Sequence, residues 1–323
     1  MTKFKPNTRH HFIPQCYLRH FANTKRGIYA YDKLNSNNYY ASIDKVCCID
    51  DFYKISSEFL NEEYDCENEQ LIIENEYFSK EIEPKFAKVL DWIDKRKNIC
   101  LADENKNVGL SYRDKLVIAK HIVIQFFRLP DIKYQNQNMS DSIIPQMIDL
   151  FKEGISMEHN NDIYKNINVK YKCDPALLHA QSTFLNDELV NHFAAALAEN
   201  YWSFLVSIDG KIYTSDFPLV VEPHISNATP INLGLTQYGS ELTYPLTKNI
   251  VLTIWDKNFF SEKARGDCKF YTISEKEERR QNRFRYYYAK RYVFSFIKDF
   301  YLIDSLLKKT SNGKQIFKGI IEN

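Results

Sequence analysis

No run of 18 or more apolar residues occurs in this chain of 323 residues, so no segment reads as a membrane-spanning helix. The opening Met1-Thr-Lys-Phe-Lys-Pro lacks the apolar core of a secretory signal, and the expected compartment is the cytoplasm. Cys-x-x-Cys is absent. The seven cysteines, at 16, 47, 48, 66, 100, 173 and 268, are odd in number and scattered, which argues against a disulfide framework or a structural zinc site and predicts free thiols. Glycine is scarce, at nine residues, and neither a phosphate-cradling Gly-rich loop nor a dinucleotide fingerprint is present. An excess of one charge is missing too. With 43 Lys+Arg against 42 Asp+Glu, binding to nucleic acid or to a membrane surface would have to come from a local patch.

What the chain does have is order in its patterns. Residues 28–32 and 39–43 are short aromatic-rich runs that read as a hairpin with a longer loop, and 46–55 adds a strand. A helical pattern covers 66–98, with Pro84 as a kink or break. Ser111 opens a helix stopped by Pro130, residues 141–155 form a shorter one, and Asp174-Pro175 caps a long amphipathic helix to about Glu199. The period then changes to two: Trp202, Phe204, Val206 and Ile208 alternate with Ser203, Leu205 and Ser207, and Asp209-Gly210 predicts a hairpin whose return strand is 211–215. Strands follow at 241–256 and 269–273, and Ser274-x-x-Glu277 opens a basic helix to about Arg291. The expected fold is a single α+β domain over 1–323, its sheet built from the N-terminal and C-terminal strand regions with the central helices packed on it.

Five motifs carry a resemblance. They are His10-His11-Phe12-Ile13-Pro14-x-x-Tyr17-Leu18-x-x-Phe21, Gln125-x-x-Arg128-Leu129-Pro130, Thr214-Ser215-Asp216-x-Pro218, Pro245-Leu246-Thr247, and Asn282 followed by Ala289-x-x-Tyr292-Val293-Phe294. In order and spacing the chain resembles the uncharacterised, mostly bacterial family known as domain of unknown function 4238. It departs from that pattern at Phe217, where Asn is usual, and at Lys248, where Pro is common. The resemblance implies no established activity.

The residues themselves suggest chemistry. His10-His11 before Ile13-Pro14 is similar to the opening of His-Asn-His nucleases, in which one position binds a divalent metal and a His activates water. Only His20 lies nearby, however, and the alternative is that the pair caps the following helix or sits in a structural hydrogen-bond network. On the helix 111–129, Asp114, His121, Gln125 and Arg128 form a narrow polar stripe between apolar flanks, which must be satisfied internally or face a cleft. Arg128 suits a carboxylate or phosphate, and Asp216 is its expected acid partner; a turn-capping role for Asp216 is the plainer reading. Glu188 and His192, at i and i+4, are a weaker metal-site signal.

The leading functional expectation is a nucleic-acid phosphodiesterase, of host-defence or toxin type. His11 would be its general base, Gln125 and Arg128 would hold the scissile phosphate, and His10 and Asp216 would be ligands to a divalent metal. Arg279, Arg280, Arg283, Arg285, Lys290 and Arg291 would track the phosphate backbone. The other class is a non-enzymatic module that binds a nucleotide or a protein partner, in which the same polar residues are structural.

Overall fold

The computed structural model describes residues 8–60, 69–101, 109–160, 162–225 and 234–305, with the side chains of 99–101 left out. Among these residues eleven strands form three sheets. The smallest pairs β1 (Arg9–His11) antiparallel with β4 (Cys48–Asp50). In the second, the hairpin of β2 (Gly27–Asp32) and β3 (Asn37–Ser42) continues through β11 (Tyr292–Ser295) to β6 (Thr214–Ser215), so strands from both ends of the chain share one sheet. The third has the order β10 (Lys269–Thr272), β5 (Tyr201–Val206), β9 (Ile250–Trp255), β8 (Ser240–Thr247), β7 (Val220–Pro223). With the helices between β4 and β5, the fold is α+β.

The 202–216 hairpin is not formed. Gly210 does turn the chain, at φ +68, but Lys211–Ser215 does not return along β5. The reason is edge occupancy: β5 has β9 antiparallel on one side and β10 parallel on the other, so no edge is left for a return strand. Asn249 Nδ2 donates to Ser207 O at 2.8 Å and steers the chain away, and Thr214–Ser215 pair with β11 instead. The strand expected at 46–55 shrinks to β4, and its partner β1 is the His-His segment itself.

The helices capped by Ser111, Asp174 and Ser274 begin where the sequence places them, whereas the one expected at 141–155 begins earlier, at Pro130. Short α1 (Gln15–Leu18) follows Pro14. A π-helix, Ile73–Ile82, runs directly into α2 (Glu83–Leu101), with the junction just before Pro84. Ser111 and Asp114 make a reciprocal capping box for α3 (Tyr112–Phe127). Pro130, read from the sequence as a stop, is also the first residue of α4 (Pro130–Glu158), the position where a missing N–H costs nothing. The long helix expected at 174–199 is two, α5 (Pro175–Ser182) and α6 (Asp187–Ala198), because Asn186 accepts from the Leu189 N–H and starts a new helix. Ser274 caps α7 (Glu275–Tyr288).

α6 packs along α3, and Trp202, fully buried, ties the end of α6 to β5 by donating to Leu197 O at 2.9 Å. One apolar cluster draws residues from Ile13 to Phe294, including Phe78 before α2, Ile122 on α3 and Leu252 on β9. The five cysteines with described side chains are free; Cys66 and Cys100 lie outside the described side chains. No helix among the described residues is long and apolar enough to cross a membrane.

Candidate functional site

Strand β1 has one partner strand, so the carbonyls that follow it need donors from elsewhere. Helix α3 supplies them. Gln125 and Arg128 lie three residues apart and so on one face of the helix end, where Gln125 Nε2 donates to Phe12 O at 2.9 Å and Arg128 Nη2 donates to His11 O. The Gln-x-x-Arg motif therefore reads the backbone of the His-His-Phe motif. Arg128 is 1 % exposed, its guanidinium stacks 3.9 Å from the Phe78 ring centroid, and Tyr53 Oη donates to its carbonyl at 3.3 Å.

The acid that neutralises Arg128 is Glu83, with Oε1 3.0 Å from Nη1. This corrects the expected Arg128–Asp216 pair. Asp216 lies at the end of β6, where its carboxylate accepts the backbone N–H groups of Lys290, Arg291 and Tyr292 at 2.8–2.9 Å and so fastens the chain entering β11. Burial pushes its carboxyl above the ordinary range, and the three amides pull it back. A second carboxylate, Glu74, sits near Arg128 at the start of the π-helix. It is 7 % exposed, its Oε2 has no hydrogen-bond partner among the described residues, and burial pushes its pKa up to about 7 against the pull of Arg128.

The two histidines face different tasks. His10 Nδ1 accepts the Tyr53 N–H at 2.9 Å, which commits that lone pair and leaves the proton on Nε2. His11 Nε2 lies 3.4 Å from Ile43 O; a carbonyl only accepts, so Nε2 carries the proton and Nδ1 holds the free lone pair. Burial lowers the pKa of His11, so its ring is neutral near pH 7. His10 and Asp216 are thus held by separate backbone segments, and among the described residues no group of three or more His, Cys, Asp or Glu side chains is set to hold a metal.

Ile43 is the link to the surface. It lines a cleft of about 640 Å³ together with Gln15, Arg19, Lys25, Arg26, Ser42 and Asp44, which places His11 one backbone carbonyl behind the cleft wall. Arg19, Lys25 and Arg26 are exposed, and none of their three cationic side chains has an ion-pair or hydrogen-bond partner among the described residues. The one acid in the lining, Asp44, is held below the ordinary carboxylate range by the Ser42 hydroxyl and is approached by Arg9 at 3.8 Å. Local positive charge therefore exceeds negative here.

On the basic helix and the residues just after it, most cations are paired. Arg279 pairs with Glu275, Arg280 with Glu241 and Glu277, Lys290 with Asp131 and Arg291 with Asp32. Arg285 is fully buried and donates to Pro218 O, Thr243 O and Thr243 Oγ1. Of the six cations expected to track a phosphate backbone, Arg283 alone has no partner among the described residues. The carboxylates that pair with these cations come from β2, β8 and α4 as well as from the first turn of α7, so the structure lends the expected phosphate track no support.

The sequence reading missed Glu83, Glu74 and the cleft cations. Nothing in the pattern separates Glu83 from the other charges of its helix. The cleft did leave a signal: residues 1–31 contain six Lys and Arg and no Asp or Glu, an imbalance that the whole-chain charge of +1 conceals. No curated protein and no solved structure matches the chain. Residues 9–299 match the family model described as protein of unknown function DUF4238, and the chain belongs to that family.

Proposed function

We propose that the chain is a binding module for a phosphate-bearing ligand of the nucleotide class, seated in the cleft between α1 and the β2–β3 hairpin. The observation that carries this reading is the convergence of Arg19, Lys25 and Arg26, all without carboxylate partners among the described residues, on one cleft in a chain whose basic helix is neutralised internally. Unpaired guanidinium groups favour phosphate because their planar N–H forks match its oxygens. The volume of about 640 Å³ falls within the range of small-molecule sites. Gln15 and Ser42 add polar contacts, and Asp44 can accept from a sugar hydroxyl or a base amine.

Calorimetric titration with pyrophosphate, nucleoside mono-, di- and triphosphates and short single-stranded oligonucleotides tests the proposal. Arg19→Ala and Arg26→Ala should each weaken binding roughly tenfold or more, the scale of a charge-assisted hydrogen bond, and affinity should fall with added salt. Both residues are exposed, so thermal melting should be unchanged. A double variant that binds every ligand as well as the parent would end this reading.

Phosphodiester cleavage is the second reading, favoured by the neutral His11 ring close behind the cleft wall; since its Nε2–H is given to Ile43 O, the base would be Nδ1. In that reading labelled RNA or DNA is cut in the presence of Mg²⁺, Mn²⁺ or Zn²⁺, and His11→Asn abolishes cutting while ligand binding persists. Gln125 and Arg128 then act as positioning residues, since their amide and guanidinium groups are taken up by Phe12 O, His11 O and Glu83.

A further inference from the structure

Helix α4 is 29 residues long, about 43 Å at the usual rise, yet only Lys133, Ser140 and Ser156 on it are buried. Met139, Met147, Leu150, Phe151 and Met157 are 57–77 % exposed, and Ile163 beyond the helix is 63 % exposed. Between α4 and residues 164–169 lies a groove of about 420 Å³, walled by Ile144, Ile148 and Ile155 on one side and Tyr164, Ile167 and Val169 on the other. Met147 and Phe151 stand at its lip. Isolated apolar residues on a surface are ordinary, but a groove flanked by projecting apolar side chains is an interaction surface.

We infer that this face is the interface of a homodimer, in which α4 of one copy crosses α4 of the other antiparallel and each Leu150–Phe151 pair enters the partner's groove. Three observations select a second copy of this chain over other occupants. Met139, Ile143, Met147, Leu150, Phe151 and Met157, each at least 44 % exposed, line α4 over five turns, an extent of apolar surface suited to one side of a protein–protein interface. Knob and groove lie side by side on the same helix, which is the self-complementarity that a two-fold interface requires. The electrostatics are permissive: Lys152, the one charged residue in the groove lining, is held 3.6 Å from Asp149. At 3.6 residues per turn, Asp141, Asp149 and Glu153 fall outside the arc that holds Ile143, Met147, Leu150 and Phe151. An anionic lipid surface fits poorly, since residues 130–158 carry five carboxylates and two lysines.

Sedimentation velocity on the full chain from about 1 to 100 µM tests the inference, because interfaces of this size give dissociation constants in the micromolar range or tighter. The parent should sediment as a dimer at the upper concentration, and deuterium exchange over 143–157 should slow as concentration rises. Phe151→Asp and Leu150→Asp should each weaken the dimer by at least about thirtyfold, as a central interface residue does. Their circular dichroism should match the parent's, because both side chains are exposed. A parent that stays monomeric at about 100 µM overturns the inference, as does a dimer that both variants leave intact. Flotation of the monomer with phosphatidylserine vesicles would assign the face to lipid and overturn it equally.

Discussion

Replacing Arg128 with Leu should lower the free energy of unfolding by about 3–5 kcal/mol, the range found when one member of a buried ion pair is removed. Three losses combine. The His11 carbonyl loses its donor and, being buried, finds no water to replace it. Glu83, about one-fifth exposed, loses its partner and is left with partial hydration. The guanidinium stack on Phe78 disappears, leaving a space that Leu fills only in part. Arg128→Lys should recover less than half of the loss, since one ammonium cannot serve both the His11 carbonyl and Glu83 in the geometry of the guanidinium fork. Equilibrium urea unfolding of the two variants measures this. A loss below about 1 kcal/mol for Arg128→Leu would mean that the β1–α3 junction does not depend on this side chain.

The second large effect concerns pH. Below about pH 4.5, its ordinary value, the Glu74 carboxyl is protonated in both folded and unfolded chains and contributes no difference. As pH rises toward about 7 the unfolded chain gives up this proton while the folded chain keeps it, so stability falls across that window. Above about 7 the folded carboxyl must ionise within the apolar surroundings, and the accumulated cost is on the order of 3 kcal/mol. Glu74→Gln removes the ionisation and keeps the shape. It should match the parent near pH 5 and exceed it by about 2–3 kcal/mol near pH 8. Urea unfolding at both pH values checks this, and equal stability of the two proteins at pH 8 would show that Glu74 is not forced to ionise against burial. On the acid side the sign reverses. His11, His121 and His179 are held below the ordinary histidine value by burial, His179 at about 3, so the unfolded chain takes up protons first and stability falls as pH drops below about 6.5.

Arg128 also shows how far a sequence pattern reaches. Its place on the polar stripe of α3 signalled a buried cation needing an acid, and that is how it is held. Which acid it takes was not legible, because Glu83 comes from a helix 45 positions earlier and looks like any surface charge in its own pattern. Asp216 had the right chemistry and the wrong neighbours. Its three amide donors belong to residues 290–292, which reach it only when β11 inserts between β2 and β6. The hairpin at 202–216 misled for a similar reason: alternation and Asp-Gly describe a turn and a pleated surface, but not which strand will occupy the free edge.

The sequence by itself determined some of the local elements and where they start: the caps at Ser111, Asp174 and Ser274, the β2–β3 hairpin, the α+β class and the family. These depend on the backbone preferences of residues close together in the chain. Tertiary structure alone decided the pairings: β1 with β4, β5 between β9 and β10, Arg128 with Glu83, and Arg19 with Lys25 and Arg26 around one cleft. Each of these joins groups whose attraction depends on distance and burial, quantities fixed only once the whole chain has packed.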